Sequence, residues 1–469
     1  MILFNHHLYT TFYEVKSQQK KSRIHILKGK EGIKLKKKVA LHNLGCKVNA
    51  YETEAMGQMF SDRGYDVVEF KEGADVYIIN TCTVTNIADR KSRQMLHKAK
   101  KMNSGALVVA VGCYAQAFAG DLEKDEAIDI IVGNDMKKDI VDIVENHIRK
   151  SVVDINDTKV RREFEELNID SMEEHTRAYI KIQDGCNQFC SYCIIPYARG
   201  RVRSRRPDNI LKEVERLVDK GYQEIVLTGI HLSSYGVDFK DENIGLIDVI
   251  KMIGSNSGIK RIRLGSLEPR IVTEEFMQEL KKIGAFCPHF HLSLQSGCNE
   301  TLKRMNRRYT TEEYLEGCNL IRKYYPDAAI TTDVIVGFPG EDEKEFKECK
   351  KFLEIVAFSS MHIFKYSKRA GTKAAVMENQ VSDELKAKRS DELLELDKNL
   401  RIKYMDRFID KEVDVLFEKK VSVDGEEYFT GHTKEYVKIA VKSGEDLENK
   451  ILAVKVIKTL DEEIMLAIF

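Results

Sequence analysis

Short β-branched runs recur about every 30 residues in this chain, with helix-patterned segments between them, and that rhythm restricts the fold more than any other feature. Val39 to Asn43, Asp75 to Asn80 and Ala106 to Val111 are such runs, and Tyr51 to Arg63 and Ile87 to Met102 carry helical patterns. Strand and helix in alternation read as βαβ units on a parallel sheet, whose faces are covered by the crossover helices. Ligands then bind outside the carboxyl ends of the strands. At those ends stand Leu44-Gly45-Cys46, Thr81-Cys82-Thr83 and Gly112-Cys113-Tyr114, with the cysteines 36 and 31 residues apart. Thiols separated by about one βα unit each would converge on one site; three unrelated buried thiols are the alternative.

A charged stretch, Asp154 to Glu174, is expected to link this unit to a second βα series. Its strands are expected at Ala178 to Gln183, Glu224 to Thr228, Arg261 to Gly265, His289 to Leu294, Ile330 to Val336 and Ala357 to Phe364. Six strands suit a partial parallel barrel better than a closed eight-stranded one. After a helical segment, Ser382 to Phe408, come five short strand patterns without helices between them: Glu412 to Glu418, Glu427 to Thr430, Tyr436 to Val441, Ile451 to Ile457 and Ile464 to Phe469. That is the pattern of a small all-β barrel. The reading is therefore an α/β protein of three domains, a flavodoxin-like parallel-sheet domain over 38–150, a partial (βα)6 barrel over 175–406 and the β-barrel over 407–469, with a basic extension over 1–37 and a linker over 151–174.

Composition excludes several classes. With 43% hydrophobic and 32% charged residues and 6 prolines in 469, the chain is neither collagenous nor disordered. Its longest uncharged stretch, Met102 to Gly120, has a continuous apolar core of only Ala106 to Val111, so no membrane span is expected. Residues 1 to 38 carry ten Lys/Arg against Glu14 and Glu31, without the apolar segment of roughly 7 to 15 residues that an export signal uses. A solvated, poorly ordered arm in a cytoplasmic protein is expected there. Across the chain 75 Lys/Arg cancel 75 Asp/Glu, so nucleic-acid binding would need a local basic patch.

The densest chemistry follows the first expected barrel strand. In Asp184-Gly185-Cys186-Asn187-Gln188-Phe189-Cys190-Ser191-Tyr192-Cys193, three residues separate the first two cysteines and two the second pair. Clustered thiolates suit an iron–sulfur cluster, which normally takes four cysteines. Three would leave one iron open to a non-protein ligand. A zinc site with a distant fourth ligand is the alternative.

That spacing resembles the signature of the radical S-adenosylmethionine (SAM) superfamily. Downstream, Thr228-Gly229-Ile230-His231, Arg263-Leu264-Gly265-Ser266-Leu267-Glu268-Pro269, Leu294-Gln295-Ser296-Gly297 and Thr332-Asp333-Val334-Ile335-Val336-Gly337-Phe338-Pro339-Gly340 look like barrel-rim motifs of its methylthiotransferase branch. The resemblance runs from about residue 38 to residue 469 and implies a radical SAM core domain between an auxiliary-cluster domain and a C-terminal TRAM barrel. It also implies two [4Fe-4S] clusters, one on Cys186, Cys190 and Cys193 and an auxiliary one on Cys46, Cys82 and Cys113 that carries the sulfur. S-adenosyl-L-methionine would serve as radical source and methyl donor. Gly229, Ser266, Glu268 and Gln295 are its candidate contacts, and no catalytic side chain beyond the cluster ligands is implied. Leu44 to Thr53, Asn80 to Asn86 and Cys193 to Gly200 are similar to the subgroup that modifies N6-threonylcarbamoyladenosine at position 37 of tRNA. The branch's other substrates are N6-isopentenyladenosine in tRNA and an aspartate of a small-subunit ribosomal protein. A non-catalytic iron–sulfur module that binds RNA or transfers electrons is an alternative of another class. An external electron donor such as a flavodoxin is implied, and the sulfur donor is not.

Two features bear on RNA without any resemblance. Arg199, Arg201, Arg203, Arg205 and Arg206 put five guanidinium groups just after the cysteine loop, where they could clamp phosphates; a solvated charged face is the alternative. From Asp410 onward fourteen Asp/Glu outnumber nine Lys/Arg, unlike a basic RNA-binding surface, although Lys434, Tyr436 and Lys438 could form a small contact patch. Cys287, Cys298, Cys318 and Cys349 lack ligand-type spacing and read as packed thiols.

Overall fold

A computed structural model describes residues 36–146, 151–153, 155, 157, 158, 160, 162–169, 176–240 and 242–469. The basic segment 1–35 and parts of the expected linker lie outside the described residues. The first sheet is all parallel, with β1 (Lys38–Asn43), β2 (Asp66–Val68), β3 (Val76–Thr81), β4 (Leu107–Gly112), β5 (Ile130–Val132) and β6 (Ser151–Val153) in the order β2-β1-β3-β4-β5-β6. That is the flavodoxin-like order, and the chain direction across the sheet reverses between β1 and β3, which opens a crevice at their carboxyl ends. Every residue of β3 is buried, as a central strand covered on both faces requires. The helix Asn86–Met102 starts at Thr85, whose hydroxyl accepts from the Ala88 N–H at 3.1 Å.

The second unit holds β7 (Arg177–Asp184), β8 (Arg203–Ser204), β9 (Glu224–Gly229), β10 (Arg261–Leu264), β11 (His289–His291), β12 (Ala329–Val336) and β13 (Ser360–Lys365). Six of these are parallel, as β7-β9-β10 and β11-β12-β13, and single bridges from Ile262 to Phe286 and Leu267 to Leu292 join the two halves. This is the expected partial barrel. Strand alternation explains its two faces. Ile180, Ile225, Ile262, Phe290 and Val334 share one core. The alternate positions, among them Lys181, Glu224, Arg263, His291, Asp333 and His362, point the other way and give the barrel a polar interior.

The helix Asp383–Asp406 leads to a closed five-stranded barrel of β14 (Glu412–Val423), β15 (Glu426–His432), β16 (Lys438–Val441), β17 (Ile451–Thr459) and β18 (Ile464–Ile468), cored by Val415, Phe417, Ile439, Val454 and Met465. It docks on the amino ends of the parallel strands, where Arg261 donates to the His432 and Asp414 carbonyls and Arg263 to the Lys434 carbonyl. The strand expected from Tyr436 starts instead at Lys438, because Tyr436 sits in a left-handed turn with φ 67°. Its ring lies between His432 and His289, at 4.6 and 4.5 Å, with the Arg263 guanidinium over it at 4.7 Å. Tyr436 therefore anchors the barrel to its neighbour instead of offering RNA a free aromatic face, and the Lys434 ammonium donates to the Gly284 carbonyl at 2.9 Å.

Candidate functional site

Cys46, Cys82 and Cys113 each follow a strand of the first sheet, after β1, β3 and β4. A Cβ built on Gly45 would lie 3.1 Å from the Cys82 Sγ, so the first two loops are in contact. Asn49 ties them together by donating to the Leu44 and Thr81 carbonyls at 3.0 and 3.1 Å. Burial, with Cys113 and Cys46 adding like charge, pushes the Cys82 thiol up to about 12. Cys46 is exposed at the surface, and desolvation by the surrounding protein raises its thiol, against the pull of Arg199.

Cys186, Cys190 and Cys193 occupy the loop after β7, all half-buried. Gly185 makes the entry possible. It sits at φ 69°, and a Cβ there would fall 1.9 Å from the Arg201 carbonyl oxygen. The Cys193 N–H donates to the Cys190 carbonyl, and Arg307 donates through Nη1 to the Cys190 Sγ at 3.3 Å. Burial pushes Cys186 up to about 11 and, with the neighbouring Cys190, Cys193 up to about 12. Thiols so placed keep their protons near neutral pH until a metal centre displaces them.

Arg199 joins the two triplets. It closes the helix Ile195–Arg199 just after Cys193, and its Nε donates to the Cys113 Sγ at 3.2 Å. Its Nη2 donates at 2.7 Å to Asn49 Oδ1, which also accepts from the Cys46 thiol. The same guanidinium pairs with Glu52 and Asp184, at 2.8 and 3.1 Å, and Lys137 and Lys181 complete the buried cluster around Glu52. Against the desolvation of burial, Arg199, Lys137 and Lys181 hold Glu52 well below the usual carboxylate range, and Lys181, Arg199 and Arg203 do so for Asp184.

These contacts correct the reading of five phosphate-clamping arginines. Arg199, Arg203 and Arg205 are 2%, 4% and 0% exposed, and their charge is spent on internal partners: Arg203 on Asp135, and Arg205 on Glu166 and Glu213. An amphipathic reading cannot see this, because each carboxylate partner lies on another element. Arg201 and Arg206 are exposed, Arg201 over the Phe189 ring at 4.7 Å and Arg206 paired with Glu242 at 2.9 Å.

Gly229, Ser266, Glu268 and Gln295 stand at or beyond the carboxyl ends of β9, β10 and β11, the rim that also carries the Cys186–Cys193 loop. Ser266 is exposed, Glu268 accepts from Arg270 at 2.7 Å, and Gln295 is held at φ 72° by backbone bonds to Asp333 and Ile335. The sequence reading missed Asn49, Glu52 and Arg307: the first two follow Cys46 at i+3 and i+6 on one face of the helix Lys47–Asp62, a spacing that could have found them, whereas nothing local marks Arg307. Cys287, Cys298, Cys318 and Cys349 are buried, as expected of packed thiols.

The donor sets can be tested against what they would hold. Among the described residues, only His291, Asp333 and His362 bring three ligand-type atoms within 4.8 Å of one another. Asp333 accepts from both histidines there, at 3.3 and 3.1 Å, which satisfies the three groups without an ion. Neither cysteine triplet is drawn in that tightly. A single tetrahedral zinc, with Zn–S near 2.3 Å, would hold its sulfurs roughly 3.8 Å apart. Each triplet offers thiolates alone, the donor set of an iron–sulfur cluster.

Comparison with known proteins agrees. The profile of the radical SAM superfamily matches residues 180–353, and that of uncharacterized protein family UPF0004 matches 38–133. The threonylcarbamoyladenosine tRNA methylthiotransferase MtaB of Bacillus subtilis is 41% identical, covering 90% of this chain and 94% of its own. The tRNA-2-methylthio-N(6)-dimethylallyladenosine synthase of Thermoanaerobacter sp. is 35% identical, covering 96% of both. Among solved structures, the radical S-adenosylmethionine methyltransferase TsrM of Kitasatospora setae shares the fold, with a TM-score of 0.54 at 16% identity over 73% of this chain and 77% of that one. No helix among the described residues is long and apolar enough to cross a membrane. Likeness that runs through both cysteine-bearing units and on into the C-terminal barrel leaves one conclusion, that the chain belongs to the radical SAM methylthiotransferase family, whose members use S-adenosylmethionine and [4Fe-4S] clusters.

Proposed function

We propose that this chain converts N6-threonylcarbamoyladenosine at position 37 of tRNA to its 2-methylthio derivative, in the cytoplasm. The observation that carries the reading is Arg199, which touches a sulfur of one cysteine triplet while ending the segment that follows the other. A reaction that needs a radical source and a sulfur carrier needs both on one seam, and the names of the relatives support this substrate.

Cys186, Cys190 and Cys193 would hold one cluster and Cys46, Cys82 and Cys113 the other. Bound there, the clusters supply the electron that cleaves S-adenosylmethionine and the sulfur to be inserted. The chain's own groups do the positioning. Arg307 and Arg199 each direct N–H donors at a cysteine sulfur, and Gly229, Ser266, Glu268 and Gln295 would orient S-adenosylmethionine on the rim. Residues 38–150, 175–406 and 407–469 would form the auxiliary-cluster, radical SAM and TRAM domains. Arg201 and Arg206, both exposed, would be open to RNA contact, and an external donor of flavodoxin type would deliver electrons.

Mass spectrometry of tRNA nucleosides from cells lacking the gene, with and without a plasmid copy, tests the reading. Loss and return of the 2-methylthio-threonylcarbamoyl nucleoside is the expected result. Its persistence, with loss of the 2-methylthio-isopentenyl nucleoside, would overturn the substrate and keep the chemistry.

A further inference from the structure

A chain of zero net charge binds RNA only through a local basic surface, and burial removes three of the five arginines that first suggested one. The helix Asn86–Met102 supplies another. It carries Arg90, Lys91, Arg93, Lys98, Lys100 and Lys101 against Asp89 alone, and Asp89 is turned inward to Arg369 at 2.7 Å. Arg90, Arg93, His97 and Lys101 are exposed and recur every three to four residues in a stripe along one face, with Lys98 exposed beside His97. Arg93 is held by the Tyr114 hydroxyl at 2.6 Å and His97 by Asp125 at 2.7 Å. Arg90, Lys98 and Lys101 are the free cations of the stripe among the described residues.

From this geometry we infer that the stripe is a docking track for the phosphate backbone of the tRNA substrate, an inference that rests on the tRNA reading above. Arg93 keeps its charge beside the neutral Tyr114 hydroxyl, and at a rise of about 1.5 Å per residue Arg90, Arg93, Lys98 and Lys101 follow one another at about 4.5, 7.5 and 4.5 Å along the axis, on the scale of the step between neighbouring phosphates of one strand. The track also starts at the sulfur site. Thr85 caps the helix three residues after Cys82, and Arg369 of the barrel unit holds that end by donating to Thr83 and Asn86 at 2.6 and 2.7 Å. A strand laid along the stripe is thus led to the auxiliary cysteines. An acidic electron-donor protein is the competing partner, and a continuous row at phosphate spacing favours RNA over it.

The test uses cluster-loaded enzyme and the anticodon stem-loop of a tRNA carrying threonylcarbamoyladenosine, with affinity measured against salt. The triple variant R90Q/K98Q/K101Q is expected to bind at least tenfold more weakly near 0.15 M salt. Its slope of log affinity against log salt should be about two to three smaller, at roughly 0.7 to 0.9 per lost phosphate contact. Iron content and RNA-independent S-adenosylmethionine cleavage should stay at wild-type levels, as should the affinity of a K347Q/K351Q control on the helix Glu343–Val356. Unchanged affinity and slope in the triple variant would overturn the track, and so would loss confined to reduction by a flavodoxin. Failure of the wild-type enzyme to bind the stem-loop would overturn the tRNA reading itself.

Discussion

Each cysteine triplet has an arginine on one of its sulfurs, and the two arginines differ in what else they touch. Arg307, at Cys190, has only neutral partners among the described residues: the Ser293 carbonyl at 2.8 Å and the Tyr309 hydroxyl at 2.8 Å. Arg199, at Cys113, is bound by Glu52 and Asp184 inside a cluster that also holds Lys137, Lys181 and Arg203. The first places an uncompensated cation beside its sulfurs; the second is a buried ion-pair network that fixes one unit to the next. The difference separates two duties. Charge at Cys190 favours taking up an electron, whereas the Arg199 charge at Cys113 is partly offset by Glu52 and Asp184, which also fix its geometry.

The largest expected effects break the comparison outright. Cys190→Ala and Cys82→Ala should each remove about half the iron, if each triplet holds its own four-iron cluster, and only Cys82→Ala should keep S-adenosylmethionine cleavage. Loss of all iron from either variant would refute two independent sites. Next comes Glu52→Gln, which strips a buried cation cluster of its main anion and should cost about 3–5 kcal/mol in chemical denaturation of the metal-free protein. Arg307→Gln leaves only neutral groups behind and should cost about 1–2 kcal/mol. Its larger signature is the reduction potential of the Cys186–Cys190–Cys193 cluster in the Cys82→Ala background. That potential should fall by tens of millivolts, since 59 mV is a tenfold change for one electron. An unchanged potential would mean that solvent already screens Arg307.

The sequence revealed what is periodic or local. The strands after which Cys46, Cys82 and Cys113 stand lie within one residue of their expected ends, because buried parallel strands are continuous β-branched runs. The strands β2, β5 and β6, three residues each, are too short to show a period. Arg199, Arg203 and Arg205 read as surface charge because Glu52 and Asp135, the partners of the first two, lie 147 and 68 residues away, and Glu213, eight residues from Arg205, stands on the next helix, so that only the fold turns it toward the arginine. The exposed stripe from Arg90 to Lys101 was open to helical-period reading and was overshadowed by the denser arginine run.

The smallest effect, a slope in pH, sharpens the comparison without changing the arginines. Glu52 and Asp184 have ordinary values of 4.5 and 3.8, and in the folded protein both are lowered by the cations around them, against the cost of burial. Below their ordinary values the unfolded chain therefore binds protons that the native chain does not, so native stability rises with pH there and falls as acid is added. The contribution is fully present above about pH 5 and is lost progressively below 4.5 as the pH moves toward the lowered values. Each carboxylate adds at most about 1.4 kcal/mol per pH unit. Urea unfolding of metal-free protein between pH 5 and 3 should show a shallower loss in Glu52→Gln than in wild type, by up to one proton's share. Arg307→Gln should keep the wild-type slope, because no carboxylate is paired with Arg307 among the described residues. Equal slopes in Glu52→Gln and wild type would mean that Glu52 is already protonated in the native network, and the contrast between the two arginines would then fail on the Arg199 side.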